Sequence, residues 1–447
     1  MLYNENAVEW NKHAKELFYM KRYLIVGLLL ALCLNMAACG AKKAAKEPEV
    51  PEVTLSEAQL YRVPDPMAYP TYTFDQAPTT DELRQMAVKA MRDMLSIQWC
   101  TPKFMTYQKV GAVSEKQFSY VPEINLCGLP YTNGDAAIFN FFEYYDTTTG
   151  QLNFPGDGDE FNQIIGNTCT GSIMWAWSTV CDSLTGVYDN YHMTYLNKCY
   201  PVGDYVAPNS IDSYLQYGTN QICLDNGKEV MLQSYAKCLP ADGLSSSPKN
   251  HGMMVISPAH VVLNADGTIN GAESYLEIQD QRAGTGNVFY TQTDDAGNTY
   301  HYSGRTYQKY TFDQLYAEWY IPVSTAEFLG LEPYAEATVT HVPTTPDYDT
   351  VEGMFSGVIN SNFPICIVKV MLTDEAGNAT MLSRAYLDKT HVKSGEARSY
   401  TLGQLRSEVT PEVYEAHMKS GKAYTLSLEV TVSTGEVITV AQLPVKK

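Results

Sequence analysis

Gly166-Asn167-Thr168-Cys169-Thr170-Gly171-Ser172-Ile173-Met174-Trp175-Ala176-Trp177 decides how the rest of the chain is read. A cysteine stands after a loop and opens an apolar run with the character of a buried helix. Unpaired N–H groups and the dipole at a helix N-terminus favour thiolate over thiol. A cysteine nucleophile also needs a base, and the base needs an orienting group. The fold therefore has to present a helix-borne Cys169 to side chains that arrive later in the chain.

The best base downstream is His251. It heads His251-Gly252-Met253-Met254-Val255-Ile256-Ser257, which reads as a strand beginning on histidine. A ring at a strand end can reach a neighbouring helix start, and an ordinary pKa near 6.5 suits proton exchange with a thiol. His260, just past Pro258, is the reserve; His192 and His301 lack such a setting. The orienting group is expected on the returning strand, 274–281. Alternation puts Glu277 and Gln281 on one face and Ile278 and Asp280 on the other. If Ile278 faces the core, Asp280 falls beside the histidine, with Gln281 and Glu277 as competitors.

Four segments in order, Gly128-Leu129-Pro130-Tyr131, Cys169-Thr170-Gly171, Leu239-Pro240-Ala241-Asp242 and His251-Gly252-Met253-Met254-Val255, resemble the NlpC-type cell-wall cysteine peptidases. The resemblance spans about residues 80–285. It implies a papain-like α+β fold, with the cysteine helix packed on an antiparallel sheet. It also implies Cys169 as nucleophile, His251 as base, a polar residue on the next strand as the third member, and Tyr131 near the thiol. Members of that family cut peptide bonds in peptidoglycan stem peptides. Three positions depart from the pattern: Thr168 stands where an acid precedes the cysteine, Thr170 replaces serine, and Ala241 occupies the turn glycine. The segment between the cysteine helix and the histidine strand is also long.

The N-terminus reads as an address. Lys21-Arg22 precede an apolar run, 23–34, then Met36-Ala37-Ala38-Cys39-Gly40. A basic region, a short apolar core and small residues make a secretory signal. The run is shorter than the ~20 apolar residues of a spanning helix. The final residues resemble a bacterial lipobox, which implies cleavage before Cys39, lipidation of Cys39 and attachment to the outer face of the cell membrane. Met20 is well placed as the initiator. Residues 1–39 are thus signal, and 40–62, rich in Ala, Lys, Glu and Pro, a flexible tether.

Residues 63–335 form the expected hydrolase domain. Thr79-Thr80-Asp81-Glu82 opens a helix to about Trp99, with Leu83, Met86, Ala87, Ala90, Met91, Met94 and Leu95 on its core face. The Cys169 helix should end near Ser183 or Gly186. A helix is expected at 210–217, short strands near Ile222 and 229–234, and a short helix and strand within 311–330. From 336 a Thr- and Pro-rich linker (338–346) leads into alternating strands at 365–372, 379–386, 423–432 and 436–443, with a helix near 410–419. This pattern predicts a β-sandwich of the immunoglobulin kind over 336–447.

The 447 residues carry a net charge of −19, so no basic surface is available to neutralise phosphates and nucleic acid is excluded as a partner. No cofactor is expected. Of ten cysteines, Cys100, Cys127, Cys169, Cys181, Cys199, Cys223, Cys238 and Cys366 remain after the signal. None has zinc-type spacing, and several free thiols are expected. Asn264-Ala265-Asp266-Gly267-Thr268-Ile269 with Glu273 partly matches a calcium loop. Val262 stands where its first carboxylate belongs, so a hairpin turn is the better reading. The function expected is a lipid-anchored cysteine hydrolase acting on peptidoglycan or another peptide. Two other readings are an inactive surface-binding lipoprotein on the same scaffold and a structural lipoprotein whose β domain holds a partner.

Overall fold

A computed structural model describes residues 77–447, apart from 109–116, 133–135, 157–159, 185–198, 208–210, 283–289, 294–296, 345–349, 388–395 and positions 104, 121, 123, 162, 163 and 298. The signal, Cys39, the tether and His192 lie outside the described residues. The fold is α+β, and its sheets are mostly antiparallel.

Helix α1, Thr80–Ser96, begins where the sequence signals it. The Thr79 hydroxyl accepts from Glu82 N, and the Glu82 carboxylate accepts from Thr79 N at 2.7 Å, a reciprocal capping box. All seven expected core positions, Leu83 to Leu95, are buried. Helix α2, Cys169–Ser178, is buried on every residue, as a helix apolar all round should be. Its neighbours are α1 and the central sheet.

That sheet has six strands: β1 Cys199–Pro201, β2 Gly243–Ser246, β3 His251–Val255, β4 Tyr275–Gln281, β5 Gly304–Thr311 and β6 Ile321–Thr325. Their spatial order is β5-β4-β3-β2-β6-β1. The centre, β4-β3-β2, is laid down by two successive antiparallel pairings, with Ile278 opposite Val255 and Ser246 opposite His251. A smaller sheet includes a parallel pair, Thr299–Tyr302 on Asn125–Cys127.

Two expectations are corrected here. The Cys169 helix stops at Ser178, short of Ser183. Side-chain hydroxyls compete for its last carbonyls: Ser178 Oγ donates to Trp175 O at 2.9 Å and Thr179 Oγ1 to Ala176 O at 2.7 Å. The strands expected near Ile222 and 229–234 are helical instead, within α3, Ile211–Tyr235. Its glycines, Gly218 and Gly227, have φ of 64° and 79° and kink it, which broke the apolar periodicity in the sequence. Ile222, Cys223, Met231, Leu232 and Tyr235 are nonetheless its buried face.

The chain beyond 336 builds two further sheets. One has three strands, β7 Val339–Val342, β8 Val358–Ser361 and β11 Ser399–Thr401. The other has four, β9 Ile365–Asp374, β10 Ala379–Tyr386, β12 Ala423–Val432 and β13 Val437–Lys446, in the order β10-β9-β12-β13. Val339–Val342, inside the expected linker 338–346, is a strand. A second hydrophobic core, from Met354 to Val445, fills this region, while Cys366, Ile367 and Ala397 pack into the first core. Short helices Gly403–Glu408 and Pro411–Ala416 stand near the helix expected at 410–419.

Candidate active site

The candidate nucleophile, Cys169, is placed by its own helix start. Thr168 is the N-cap of α2: its backbone is extended and its side chain accepts from Gly171 N at 3.1 Å. Threonine and aspartate satisfy the same orphan donors at this position, so Thr168 fills the capping role an acid would have. Cys169 is then the first helical residue, 2% exposed.

Tyr131 arrives from a separate turn sewn to the chain just before Cys169. Asn167 N donates to Pro130 O and Thr132 N to Asn167 O, each at 3.1 Å. Gly166 makes this approach possible. At φ +87°, a Cβ there would stand 2.1 Å from Pro130 O. The Tyr131 hydroxyl ends 3.8 Å from Cys169 Sγ.

His251 is the first residue of β3, after a tight turn in which Asn250 adopts φ 47° and donates its N–H to Ser247 O. The ring is 13% exposed and stands beside Cys169, whose thiol donates to the carbonyl of Asn250, the residue before the histidine, at 3.9 Å. The ring's Nε2 lies 2.7 Å from Asp280 Oδ2. Asp280, on β4, is fully buried. The structure therefore brings Cys169, His251, Asp280 and Tyr131 together.

It places the competitors elsewhere. Gln281 turns to α2, where Ser172 Oγ bonds its Oε1 while its own Nε2 donates to Leu129 O at 2.7 Å. Glu277 accepts from Tyr307 at 2.7 Å. His260 stacks on Tyr275, 4.5 Å between rings, and His301 sits on the smaller sheet.

Sequence reasoning missed Arg305 on β5. Its Nε donates to Asp280 Oδ1 at 2.8 Å and its Nη2 to Oδ2 at 2.7 Å, a bidentate fork. The signal was cross-strand register, since Asp280 pairs with Arg305 across β4 and β5. A bulge beside Asp280 and the long excursion at 283–303 hide that register in the sequence.

The charges in this row support one another. Burial opposes ionisation of Asp280, but the Arg305 guanidinium and the His251 ring hold its carboxyl well below the usual range. Burial would lower His251, yet the adjacent Cys169 sulfur and the Asp280 carboxylate raise it to about 9. Burial would raise the Cys169 thiol; the charge of the adjacent His251 ring, helped by the Tyr131 hydroxyl, brings it below the ordinary value. Six other thiols move the opposite way. Burial pushes Cys100, Cys127, Cys181, Cys238 and Cys366 up, and Cys223 to about 12. All eight cysteines among the described residues are free.

The site opens to solvent through a cleft of about 260 Å³, lined by Tyr131, Lys249, His251, Arg282, Tyr310 and Tyr320, with Lys249 paired to Glu318 at 3.3 Å. A larger cavity of about 580 Å³ between α3 and the loop 264–272 contains none of the candidate residues. In that loop Asp266 Oδ1 accepts from Thr268 N at 3.0 Å and from Thr268 Oγ1 at 2.6 Å. Leu263 bridges Ile269, so this is a hairpin turn whose carboxylate is spent internally.

No protein-family model matches the chain, and no curated protein matches it. Among solved structures it is similar to a crystal structure of a tetra-tandem repeat in the extending region of a large adhesion protein. The identity is 12% and the TM-score 0.15, over 46% of this chain and 40% of that one. The chain thus spans less than half of that structure, and a likeness of this size carries no argument about fold or function.

Proposed function

We propose that this chain is a cell-envelope lipoprotein acting as a cysteine hydrolase on peptide bonds, with peptidoglycan stem peptides as substrate. The observation that carries this reading is the contiguous row Cys169–His251–Asp280, in which a helix-start thiol stands beside a histidine whose Nε2 is 2.7 Å from a buried carboxylate. The helix-borne cysteine on an antiparallel sheet, with base and orienting group on adjacent strands, supports a papain-like scaffold of the NlpC type. The two sheets around a second core support an immunoglobulin-like sandwich after it.

In the proposed reaction the Cys169 thiolate attacks the peptide carbonyl carbon. The N–H of Cys169, at the open end of α2, faces the developing oxyanion. The His251 imidazolium gives its proton to the leaving nitrogen, the C–N bond breaks, and an amine departs from a thioester. His251, now neutral, takes a proton from water as the water oxygen attacks the thioester. The acid is released and the thiolate–imidazolium pair returns. Asp280 keeps Nε2 protonated and the ring aimed throughout, and Tyr131 donates to the sulfur when it is charged.

The test is digestion of purified peptidoglycan, with soluble fragments analysed by mass spectrometry. New stem-peptide termini released by wild-type protein and absent with Cys169→Ala support the reading. One observation favours the alternative of an inactive binding scaffold: Cys169 is 2% exposed, so substrate has to reach a nearly covered sulfur. Peptidoglycan that binds the protein yet stays uncut would establish that alternative.

A further inference from the structure

Asp280 is a carboxylate with no solvent exposure, and a buried charge is costly unless paired and hydrogen-bonded. One histidine does not suffice, because a neutral ring offers one donor and no charge. The fork from Arg305 takes both carboxylate oxygens, and the guanidinium rests on the face of Tyr310, 5.9 Å from its centroid. The result is four groups of alternating sign in sequence: thiolate, imidazolium, carboxylate, guanidinium.

We propose that Arg305 is a positioning residue of this site, which holds the Asp280 carboxylate ionised and aimed at His251 and thereby favours the thiolate form of Cys169. The inference rests on the hydrolase reading and extends it to a fourth residue. Counting charge shows why. With Arg305 present the row sums to zero. Without it, thiolate, imidazolium and carboxylate leave one net negative charge in a buried site, and the set relieves it by taking up a proton. The sulfur is the most basic of the anionic groups, so the proton goes there.

The other charges facing the row do not replace Arg305. Arg282 approaches Asp280 only to 3.9 Å and is a third exposed, and Lys249 at the cleft is engaged by Glu318. Tyr310 from β5 and Tyr320 beside β6 are phenols; burial, followed by nearby negative groups, pushes Tyr320 up, so it stays neutral.

The test is the pH dependence of Cys169 alkylation by iodoacetamide, mapped by mass spectrometry, in wild type, Arg305→Gln and Arg305→Lys, with near-UV circular dichroism to verify the fold. Arg305→Gln should move the midpoint of Cys169 reactivity upward by about one pH unit or more. Arg305→Lys keeps the charge but not the fork, and should return most of that shift. A natively folded Arg305→Gln with an unmoved midpoint overturns the assignment. If Arg305→Gln does not fold, Asp280→Asn and Asp280→Asn/Arg305→Gln test the route through the carboxylate. Because Arg305 acts through Asp280, both should titrate above wild type with one shared midpoint; an Asp280→Asn midpoint at the wild-type value, or a further rise in the double variant, overturns the proposal. A wild-type Cys169 that titrates as an ordinary thiol defeats the hydrolase reading itself. A low wild-type midpoint unmoved by Arg305→Gln removes only Arg305.

Discussion

Thr168 shows how a departure in sequence can preserve the physics. It stands where an acid was expected, and it caps α2 through Gly171 N. Thr168→Ala should destabilise the protein by about 1 kcal/mol, while Thr168→Asp should stay within ~0.5 kcal/mol of wild type in urea unfolding. Equal losses for both variants would mean that the cap contributes nothing. Ala241 departs differently. Its φ of 71° is the left-handed conformation that glycine adopts freely, and its carbonyl accepts the Trp177 indole N–H at 2.7 Å. Ala241→Gly should therefore raise stability by about 1 kcal/mol, read as a higher melting temperature. Cys169 and His251 were legible because each announces itself locally, at a helix start and at a strand start. Asp280 needed strand alternation and kept two competitors. Arg305 needed a register that no local pattern carries.

At the scale of elements, the turn before β2 is tied to α1 by a buried ion pair. Arg84 Nη1 donates to Asp242 Oδ1 at 2.7 Å and to Pro240 O at 2.7 Å, and its Nη2 donates to Phe328 O at 2.9 Å. Ser324 and Leu239 N also bond the Asp242 carboxylate. The pair locks α1, the 239–242 turn and the end of β6 together, and β2 leads from that turn into the hairpin that carries His251. Removing one member leaves the other charge buried and unpaired. Arg84→Met should cost about 3–5 kcal/mol by urea denaturation, and a loss under ~1 kcal/mol would contradict this role. Asp242 was visible in sequence only as a turn residue, because its partner lies 158 positions earlier. In α3 the cause is local: Gly218 and Gly227 kink the helix, so its apolar residues fall in short groups with the spacing of strands. The long strands of the second core, by contrast, are rich in β-branched and apolar residues between clear turns, and 365–372, 379–386 and 423–432 are strands as expected.

For the whole molecule, the region beyond 336 is fastened to the end of the Cys169 helix, α2. Ser433 Oγ donates to Ser178 O, the last residue of α2, at 2.6 Å, and Arg398 Nη2 bonds the carbonyls of Asp182 and Leu184. Lys369 and Arg384 both engage Glu143, and Arg384 lies 4.5 Å over the Tyr144 ring. The region expected as a separate module after a linker is joined to the end of α2 and the residues after it by Ser433, just past β12, and by Arg398. Ser433→Ala leaves the Ser178 carbonyl without that donor and should cost about 1–3 kcal/mol. The loss should appear as one cooperative transition at lower temperature. Independent melting of the second core, with the first unchanged, would show the fastening to be weak.

The site's charge row also sets a pH window for the proposed activity. The thiolate is lost as pH falls through the lowered Cys169 value. The imidazolium that protonates the leaving amine is lost as pH rises through about 9. The rate should therefore rise and then fall across that range. The most direct measurement is alkylation of the native protein by iodoacetamide at pH 6–7, with every modified cysteine mapped. The account predicts that Cys169 is labelled first and that His251→Ala abolishes its advantage. Uniform slow labelling of all eight thiols, or a Cys169 whose rate is indifferent to His251→Ala, would contradict it.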